Sequence, residues 1–300
     1  MLSKESMVVA PLLVLVYDAV FLAGSPGGFF KRRGWVVAGL FLTWLVLIDF
    51  VDASLVQPMV TPTGQRSESV GLGVASVTPW EYLQTQAWVI TTVYLPRVFA
   101  PVNLVLDYFL PPVTGWRVIA PFAFLAVGFV VSVLGVVLRR WWGFVGLGFY
   151  LALAPTSSVL PVTDLAVGLR MYVPLAFAVA LVVGVCSAAG RWLLRHGWLR
   201  PHSAVGLGAV ATLACLVVLC VLTVQRNAEY RTRVGLWQTV VERRPGNPRG
   251  LYNLGSALQK ANRYREAIGP YEAALRIVPT YAEARNGLAT SYGFVGMPEL

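Results

Sequence analysis

Apolar residues in this chain form long runs that are separated by short polar or basic segments. A helix needs about 20 apolar residues to cross a hydrocarbon core of about 30 Å. Six runs reach or approach that length, near residues 7–24, 35–51, 117–138, 141–155, 171–189 and 203–224. The fourth run is short and would rely on Trp141 and Trp142 as anchors at the membrane interface. The pattern predicts an all-α fold whose first part, residues 1–224, is a polytopic helical membrane domain with about six spans.

A seventh segment, Tyr82–Pro101, is less apolar and allows two interpretations. It reads YLQTQAWVITTVYLPRVFAP, with glutamines, threonines and a late proline among its aromatic and aliphatic residues. Such a helix could cross the membrane or lie in the interface. Basic residues accumulate on the inner side of membrane proteins, and only the interfacial alternative places 31–33, 139–140 and 191–200 together inside. We therefore expect one interfacial helix, with residues 52–116, the loop 156–170 and everything after Val224 on the outer face.

The composition changes after Val224, because residues 225–300 carry eleven Lys or Arg and six Asp or Glu. Residues 248–281 fit a tetratricopeptide unit, in which small residues let two antiparallel helices approach and a proline ends the second helix. The signature positions are occupied by Leu251, Leu254, Gly255, Leu258, Ala267, Tyr271, Ala274 and Pro279. Partial units lie on either side. The tail, residues 225–300, is therefore predicted to be a short tetratricopeptide repeat (TPR) α-solenoid with one complete unit.

Repeats of this kind bind a peptide or a partner helix on their concave face. Asn253, Ser256 and Lys260 occupy positions that commonly face this groove, which makes them candidate contacts for a protein or peptide partner. The alternative is that these three side chains are ordinary solvated residues of the helix. The sequence leaves both interpretations open.

Composition supports a membrane protein, since 57% of the residues are hydrophobic and only 13% are charged, with a mean hydropathy of +0.66. The net charge of +10 does not indicate nucleic acid, because the basic residues lie beside apolar runs. Cys186, Cys215 and Cys220 fall inside those runs, so no disulfide or zinc framework is indicated. His196 and His202 share one short basic loop, which argues against a histidine-based cluster. We expect no metal ion and no cofactor.

Three segments resemble a known family of membrane proteins. They are LSKESMVVAPLLVLVYD from Leu2, LPRVFAPVNLVLDY from Leu95 and LAPTSSVLPVTDLAVGLRMYVPLA from Leu153. With the sequence RNAEY and the repeats that follow, they resemble bacterial polytopic proteins with C-terminal tetratricopeptide repeats, which are similar to the eukaryotic transmembrane tetratricopeptide O-mannosyltransferases. The resemblance implies the GT-C glycosyltransferase architecture and transfer of a mannose-type sugar from a polyprenyl-phosphate donor to a protein acceptor. It also implies the bacterial inner membrane, with the repeats on the outer, periplasmic side.

The sequence departs from this family in two places. The family's acidic catalytic residue lies in its first outer loop, which has no counterpart here, so we expect the chain to begin after that region. The family commonly carries an acidic and a basic residue before its RMYLP motif, where this chain has Gly168 and Leu169. Arg170, Met171, Tyr172 and Pro174 are kept. The catalytic residue is therefore unassigned, and we expect part of a glycosyltransferase that can be inactive alone.

Transfer from a lipid phosphate needs a group that holds the departing phosphate, and Arg170 is the leading candidate because a guanidinium offers paired donors. The other candidates for binding the donor phosphate or sugar share a predicted place on the outer face. They are Asp164, Tyr172, Asp107, Lys4 and Glu5. Plainer structural roles compete with each of these assignments. Arg170 can be an interfacial anchor or an ion-pair partner of Asp164, and Asp164 can be an ordinary turn residue. Lys4 and Glu5 can be an exposed pair at a helix start.

Two other functions are compatible with the same pattern. One is a non-catalytic, membrane-anchored TPR scaffold that recruits protein partners. The other is a polymerase or ligase of lipid-linked glycans, which would be expected to show a histidine or several arginines in its outer loop. The expected partners are the lipid bilayer, a polyprenyl-phosphate sugar as substrate, and a protein or peptide on the repeats, with no nucleic acid.

Overall fold

A computed structural model describes residues 9–22, 34–36, 38–39, 41–42, 78–157, 165–166, 168–198 and 200–296. All regular secondary structure in these ranges is helical, which confirms the prediction of an α-helical chain. The helices up to the tail are α1 Ala10–Tyr17, α2 Pro79–Val89, α3 Leu95–Phe99, α4 Ile119–Val137, α5 Trp141–Leu153, α6 Tyr172–Arg195 and α7 Pro201–Glu229. The tail contains α8 Arg233–Arg243, α9 Pro248–Lys260, α10 Tyr264–Ile277 and α11 Ala282–Val295.

The helix α2 begins at a reciprocal cap between Thr78 and Glu81. The Thr78 side chain accepts a hydrogen bond from the Glu81 backbone N–H, and the Glu81 carboxylate accepts one from the Thr78 backbone N–H at 2.9 Å. These bonds satisfy donors that the first turn of a helix leaves open. The backbone N–H of Thr78, and then its hydroxyl, lower the pKa of the Glu81 carboxyl. Downstream of this start, Tyr82 and Gln86 are one turn apart and both face the protein interior.

A wider helical turn, Ile90–Tyr94, joins α2 to α3 and precedes Pro96. Proline has no N–H and its ring collides with the carbonyl four residues earlier, so a regular helix is disrupted at this point. The hydroxyls of Thr91 and Thr92 contact the carbonyl of Trp88 at 3.1 and 2.7 Å, which helps to satisfy the altered backbone. The segment that the sequence left ambiguous is thus helical and packed largely inside the protein. Its path relative to the membrane stays a prediction.

Among the described residues, three helices are long and apolar enough to cross a membrane, namely Gly115–Val137, which includes α4, and the helices α6 and α7. The helix α5 has 13 residues, and at a rise of about 1.5 Å per residue it falls short of a hydrocarbon core. This helix is the run that the sequence identified as short. The total of about six spans stays a prediction, because most of the run 35–51 lies outside the described residues.

Glycines allow α5 and α6 to pack tightly against each other. A Cβ atom added to Gly184 of α6 would lie 2.0 Å from the ring of Trp141 at the start of α5. One added to Gly148 of α5 would lie 2.4 Å from the ring of Phe177 near the start of α6. These two contacts define an antiparallel pair, and small residues at such contacts are typical of membrane helices. The pairing brings the segment after α5 next to the segment that begins α6.

In residues 233–295 the tail is built from helices that each pack against the next. The side chain of Asn247 caps α9 by accepting a hydrogen bond from the Gly250 N–H at 2.9 Å, and Pro248 occupies the first turn. Tyr271 of α10 is buried in the centre of the tail core. The helices α9 and α10 thus occupy the residues predicted for the complete repeat. Their assignment as a tetratricopeptide unit stays a prediction.

One hydrophobic core joins the tail to the rest of the protein. Val240 of α8 is buried in the same cluster as Tyr108 of the α3–α4 loop, Phe149 of α5 and Met171 just before α6. Three segments that are far apart in sequence therefore form one packed layer together with the first tail helix. Asp107 and Arg170 directly precede two residues of this layer, Tyr108 and Met171, so the layer positions the candidate site.

Candidate functional site

Buried polar residues gather where α2, the segment after α5 and the start of α6 meet. We call the buried Tyr82, Gln86 and Ser157, together with the half-buried Arg170, the outer cluster. The Tyr82 hydroxyl donates to the Thr156 carbonyl at 2.6 Å and accepts a hydrogen bond from Arg170 Nη1 at 3.2 Å. Because the Tyr82 side chain is fully buried, its hydroxyl is a fixed point that orients the guanidinium.

Gln86 lies one turn after Tyr82 on α2 and is also fully buried. Its Nε2 donates to the Leu165 carbonyl at 2.8 Å, which ties α2 to the chain just before α6. Within the described residues, Gln86 Oε1 and Ser157 Oγ are buried without a hydrogen-bond partner. A buried polar atom in this state costs about 1–3 kcal/mol. The outer cluster therefore retains hydrogen-bonding capacity that the described protein groups do not use.

The loop between α3 and α4 is fixed to the tail through Asp107. Its Oδ2 accepts a hydrogen bond from Arg249 Nε at 2.6 Å, and its backbone carbonyl accepts one from Asn247 Nδ2 at 3.3 Å. Its other carboxylate oxygen accepts from the Phe109 N–H at 3.1 Å, which closes a local turn. We call the contacts of Asp107 with Asn247 and Arg249 the tail junction. Asp107 is only 6% exposed, so its ion pair is shielded from water more than a surface pair would be.

Tyr108 forms a second contact between the membrane part and the tail. The guanidinium carbons of Arg97 and Arg244 lie 5.0 and 5.7 Å from the centre of its ring. Cations within about 6 Å of an aromatic ring are attracted by its negative face. Arg97 belongs to α3 and Arg244 directly follows α8, so the ring interacts with charges from both parts of the chain.

The structure brings two of the predicted donor-site residues into one region. Arg170 belongs to the outer cluster, and Asp107 lies in the tail junction, while their neighbours Met171 and Tyr108 share one core. Tyr172 is 76% exposed at the first position of α6. The remaining candidates, Lys4, Glu5 and Asp164, lie outside the described residues. In the part of the chain that is described, no group of three His, Cys, Asp or Glu side chains could hold a metal ion.

The groove candidates follow one another along α9. Asn253 and Ser256 are half-buried and Lys260 is exposed. Their side chains make no hydrogen bond to another described residue, in contrast to Gln259, whose amide nitrogen contacts the Gly287 carbonyl at 2.7 Å. The three side chains could therefore contact either a protein partner or solvent, so both interpretations of the sequence remain open.

Tyr82, Gln86 and Arg249 were not predicted from the sequence as site residues. Gln86 was noted only as a polar residue that made its segment ambiguous. The sequence does contain a signal for Tyr82 and Gln86. The capping residues Thr78 and Glu81 mark the start of a helix, and residues four positions apart in a helix lie on the same face. No sequence signal pointed from Arg249 to Asp107, since their pairing joins residues 142 positions apart.

Comparison with known proteins finds similarity to O-mannosyltransferases over part of the chain. A stretch of 93 residues is 33% identical to Protein O-mannosyl-transferase TMTC1 of Homo sapiens, which covers 31% of this chain and 10% of that protein. A stretch of 87 residues is 34% identical to the protein of the same name from Mus musculus, which covers 28% of this chain and 9% of that protein. The chain therefore matches about a tenth of the length of these curated relatives. No family model and no solved structure matches it.

Proposed function

We propose that this chain is part of a membrane glycosyltransferase that moves a mannose-type sugar from a polyprenyl-phosphate donor to a protein acceptor on the outer face of a bacterial inner membrane. The observation that carries the proposal is the partial similarity to O-mannosyltransferases. The membrane-length helices are consistent with a lipid-linked substrate. In this proposal the tail lies on the same outer side and contributes to binding the acceptor.

Arg170 is the proposed holder of the donor phosphate. A guanidinium has five N–H donors, and Nη1 of Arg170 contacts the fixed hydroxyl of Tyr82. The residue also lies in the helical turn that leads into α6, where the partial positive charge of a helix start favours an anion. A departing polyprenyl phosphate gains negative charge during transfer, so a cation oriented in advance would lower the barrier.

An apolar cavity offers a place for the hydrocarbon part of such a donor. It has a volume of about 270 Å³ and lies between α4, α5 and α6, with Leu125, Phe149 and Phe177 in its wall. Phe149 belongs also to the core that contains Met171, the neighbour of Arg170. The cavity wall therefore continues into the core that supports the proposed phosphate holder, an arrangement that suits a ligand with a polar head and an apolar chain.

The role of Arg170 is tested by measuring sugar transfer in membranes from cells that express the protein. Arg170→Ala is expected to reduce transfer from polyprenyl-phosphate mannose about 100-fold, as for loss of one donor to a developing oxyanion. Tyr82→Phe, which removes the hydroxyl that orients the guanidinium, is expected to give a smaller loss. Arg117→Ala is the matched control, because Arg117 is an exposed arginine just before α4. Measurable transfer by the wild type that Arg170→Ala leaves unchanged would remove the phosphate role.

A second candidate function is a membrane-anchored scaffold that recruits a protein partner. The available side chains of Asn253, Ser256 and Lys260 along α9 favour it. The transfer assay separates the two functions, because a scaffold would show no sugar transfer that depends on Arg170. Loss of partner binding in an Asn253→Ala, Lys260→Ala variant with unchanged transfer would instead assign the groove to partner recognition within the enzyme.

A further inference from the structure

A pocket of about 370 Å³ lies where α7 meets the α3–α4 loop and the end of α8. One wall is the loop segment 101–104, and the opposite wall is the last three turns of α7. Arg243 of α8 closes the side that faces the tail. Pockets of about 300–1,000 Å³ are large enough to hold small ligands or headgroups. This pocket is separate from the outer cluster and shares no lining residue with it.

Three charged residues line the pocket, and they are linked to one another. Glu229 accepts hydrogen bonds from Arg226, one turn before it on α7, and from Arg243 Nη2 at 2.5 Å. Arg226 also donates to the Tyr230 hydroxyl at 2.8 Å, and Arg243 donates to the Leu104 carbonyl at 2.6 Å. The other lining residues are uncharged, so two arginines and one glutamate give the pocket a net charge of +1.

The pocket spans the boundary between hydrocarbon and water. Its lining includes Leu219 and Leu222, which belong to the apolar run of α7, as well as Gln225 and Asn227, which follow the end of that run. No residue of α7 is buried inside the protein, which leaves its apolar face to the bilayer. The change from leucine to arginine within two turns therefore places the charged end at headgroup level and the leucines at acyl-chain level.

We propose that this pocket binds the headgroup of an anionic phospholipid. The phosphodiester lies between Arg226 and Arg243, which bind it through charge-assisted hydrogen bonds. Gln225 and Asn227 supply polar contacts for the remainder of the headgroup, and the acyl chains run along Leu219 and Leu222. This site is independent of the sugar transfer proposed above and does not rest on it.

The charge balance selects among phosphate-bearing ligands. A net charge of +1 matches a phosphodiester with one negative charge, such as phosphatidylglycerol, whereas Glu229 disfavours a doubly charged phosphate monoester. A free phosphate ion would also gain nothing from the leucines of the pocket wall. A zwitterionic lipid such as phosphatidylcholine has no net charge for the pocket to neutralise. The geometry therefore commits the site to an anionic lipid with acyl chains.

The proposal is tested by native mass spectrometry of the detergent-purified full chain titrated with lipids that have identical acyl chains. We expect one phosphatidylglycerol molecule to bind more tightly than phosphatidylcholine. Glycerophosphoglycerol, which is the same phosphodiester headgroup without acyl chains, should fail to displace it at equal concentration. Equal affinity for the two lipids, or displacement by glycerophosphoglycerol at the same concentration as the lipid, would overturn the proposal.

Variants of the basic and the acidic pocket residues are expected to change the affinity for phosphatidylglycerol in opposite directions. Arg226→Gln should weaken phosphatidylglycerol binding about five- to tenfold, as expected for one basic residue at a membrane surface. Glu229→Gln should strengthen it, because it removes the competing negative charge. Arg231→Gln is the matched control, since this exposed arginine lies five residues after Arg226 and outside the pocket. Equal weakening by Arg226→Gln and Arg231→Gln, or weakening by Glu229→Gln in a folded protein, would contradict a specific site.

Discussion

Replacing Tyr271 with alanine is expected to lower the free energy of unfolding of the tail by about 3–5 kcal/mol, as for other large aromatic residues deleted from a core. The Tyr271 side chain is 1% exposed. Its ring fills the space over Gly255 and Gly287, where an added Cβ would come within 2.8 and 2.5 Å of it. Its hydroxyl donates to Gln259 Oε1 at 2.7 Å, and burial raises its pKa, which keeps this donor protonated. Alanine would therefore leave both a cavity and an unpaired acceptor.

Hydrogen exchange of the backbone amides in residues 248–295 measures this effect in the full chain. Tyr271→Phe should lose only the bond to Gln259 and cost about 1 kcal/mol. Gly269→Ala on the same helix should be neutral or stabilising, because no heavy atom lies within 4 Å of the added Cβ and alanine favours a helix. Unchanged exchange in Tyr271→Ala would show that the tail is not packed around this ring.

Breaking the ion pair of the tail junction is expected to loosen the tail from the membrane part. Asp107 Oδ2 lies 2.6 Å from Arg249 Nε, and the side chains of Asp107 and Arg249 are 8% and 27% exposed. Removing one partner of a fully buried pair costs about 3–5 kcal/mol. Because Arg249 is partly exposed, we expect Asp107→Asn to cost less, about 2 kcal/mol. The asparagine retains an oxygen for the Phe109 N–H, so the local turn should persist.

A double-mutant cycle with Arg249→Gln isolates the pair, and the readout is protease cleavage in residues 244–248 of the full chain. A coupling energy of about 1–2 kcal/mol is expected, within the range of contacting charged residues. Glu266→Gln is the control, because Glu266 pairs with Arg263 on an exposed surface at 2.5 Å and should leave cleavage unchanged. If the free-energy changes of the two single variants add up to that of the double variant, the ion pair does not hold the tail in place.

The helices of this fold could largely be predicted from the sequence, because the period of apolar residues and the spacing of small residues are local signals. The apolar runs predicted α4, α6 and α7. The positions of Gly255, Ala267 and Pro279 predicted the tail helices α9 and α10. The wide turn before Pro96 was marked only by the proline itself. Local patterns carry this information, since a helix satisfies its backbone within a few residues.

The candidate site could be predicted only in part. Arg170 was found through a motif, whereas its partner Tyr82 lies 88 residues earlier, and the Leu165 carbonyl that Gln86 binds lies 79 residues after Gln86. Pattern rules assign polar residues in an apolar segment to an interface or to solvent. Here loop carbonyls satisfy Tyr82 and part of Gln86, so these side chains are buried instead. Such pairing depends on packing, which no local spacing records.

In the function proposed above, Arg170 holds the phosphate of a polyprenyl-linked sugar beside the outer cluster. A photoreactive analogue of polyprenyl-phosphate mannose, added to the full chain in lipid nanodiscs, tests it through the crosslinked peptides. We predict saturable labelling close to Arg170 that unlabelled donor displaces. Arg170→Ala should reduce this labelling about tenfold, the effect of losing one charge-assisted contact, while Arg117→Ala should leave it unchanged. Labelling that does not saturate, or that is equal in the two variants, would contradict the account.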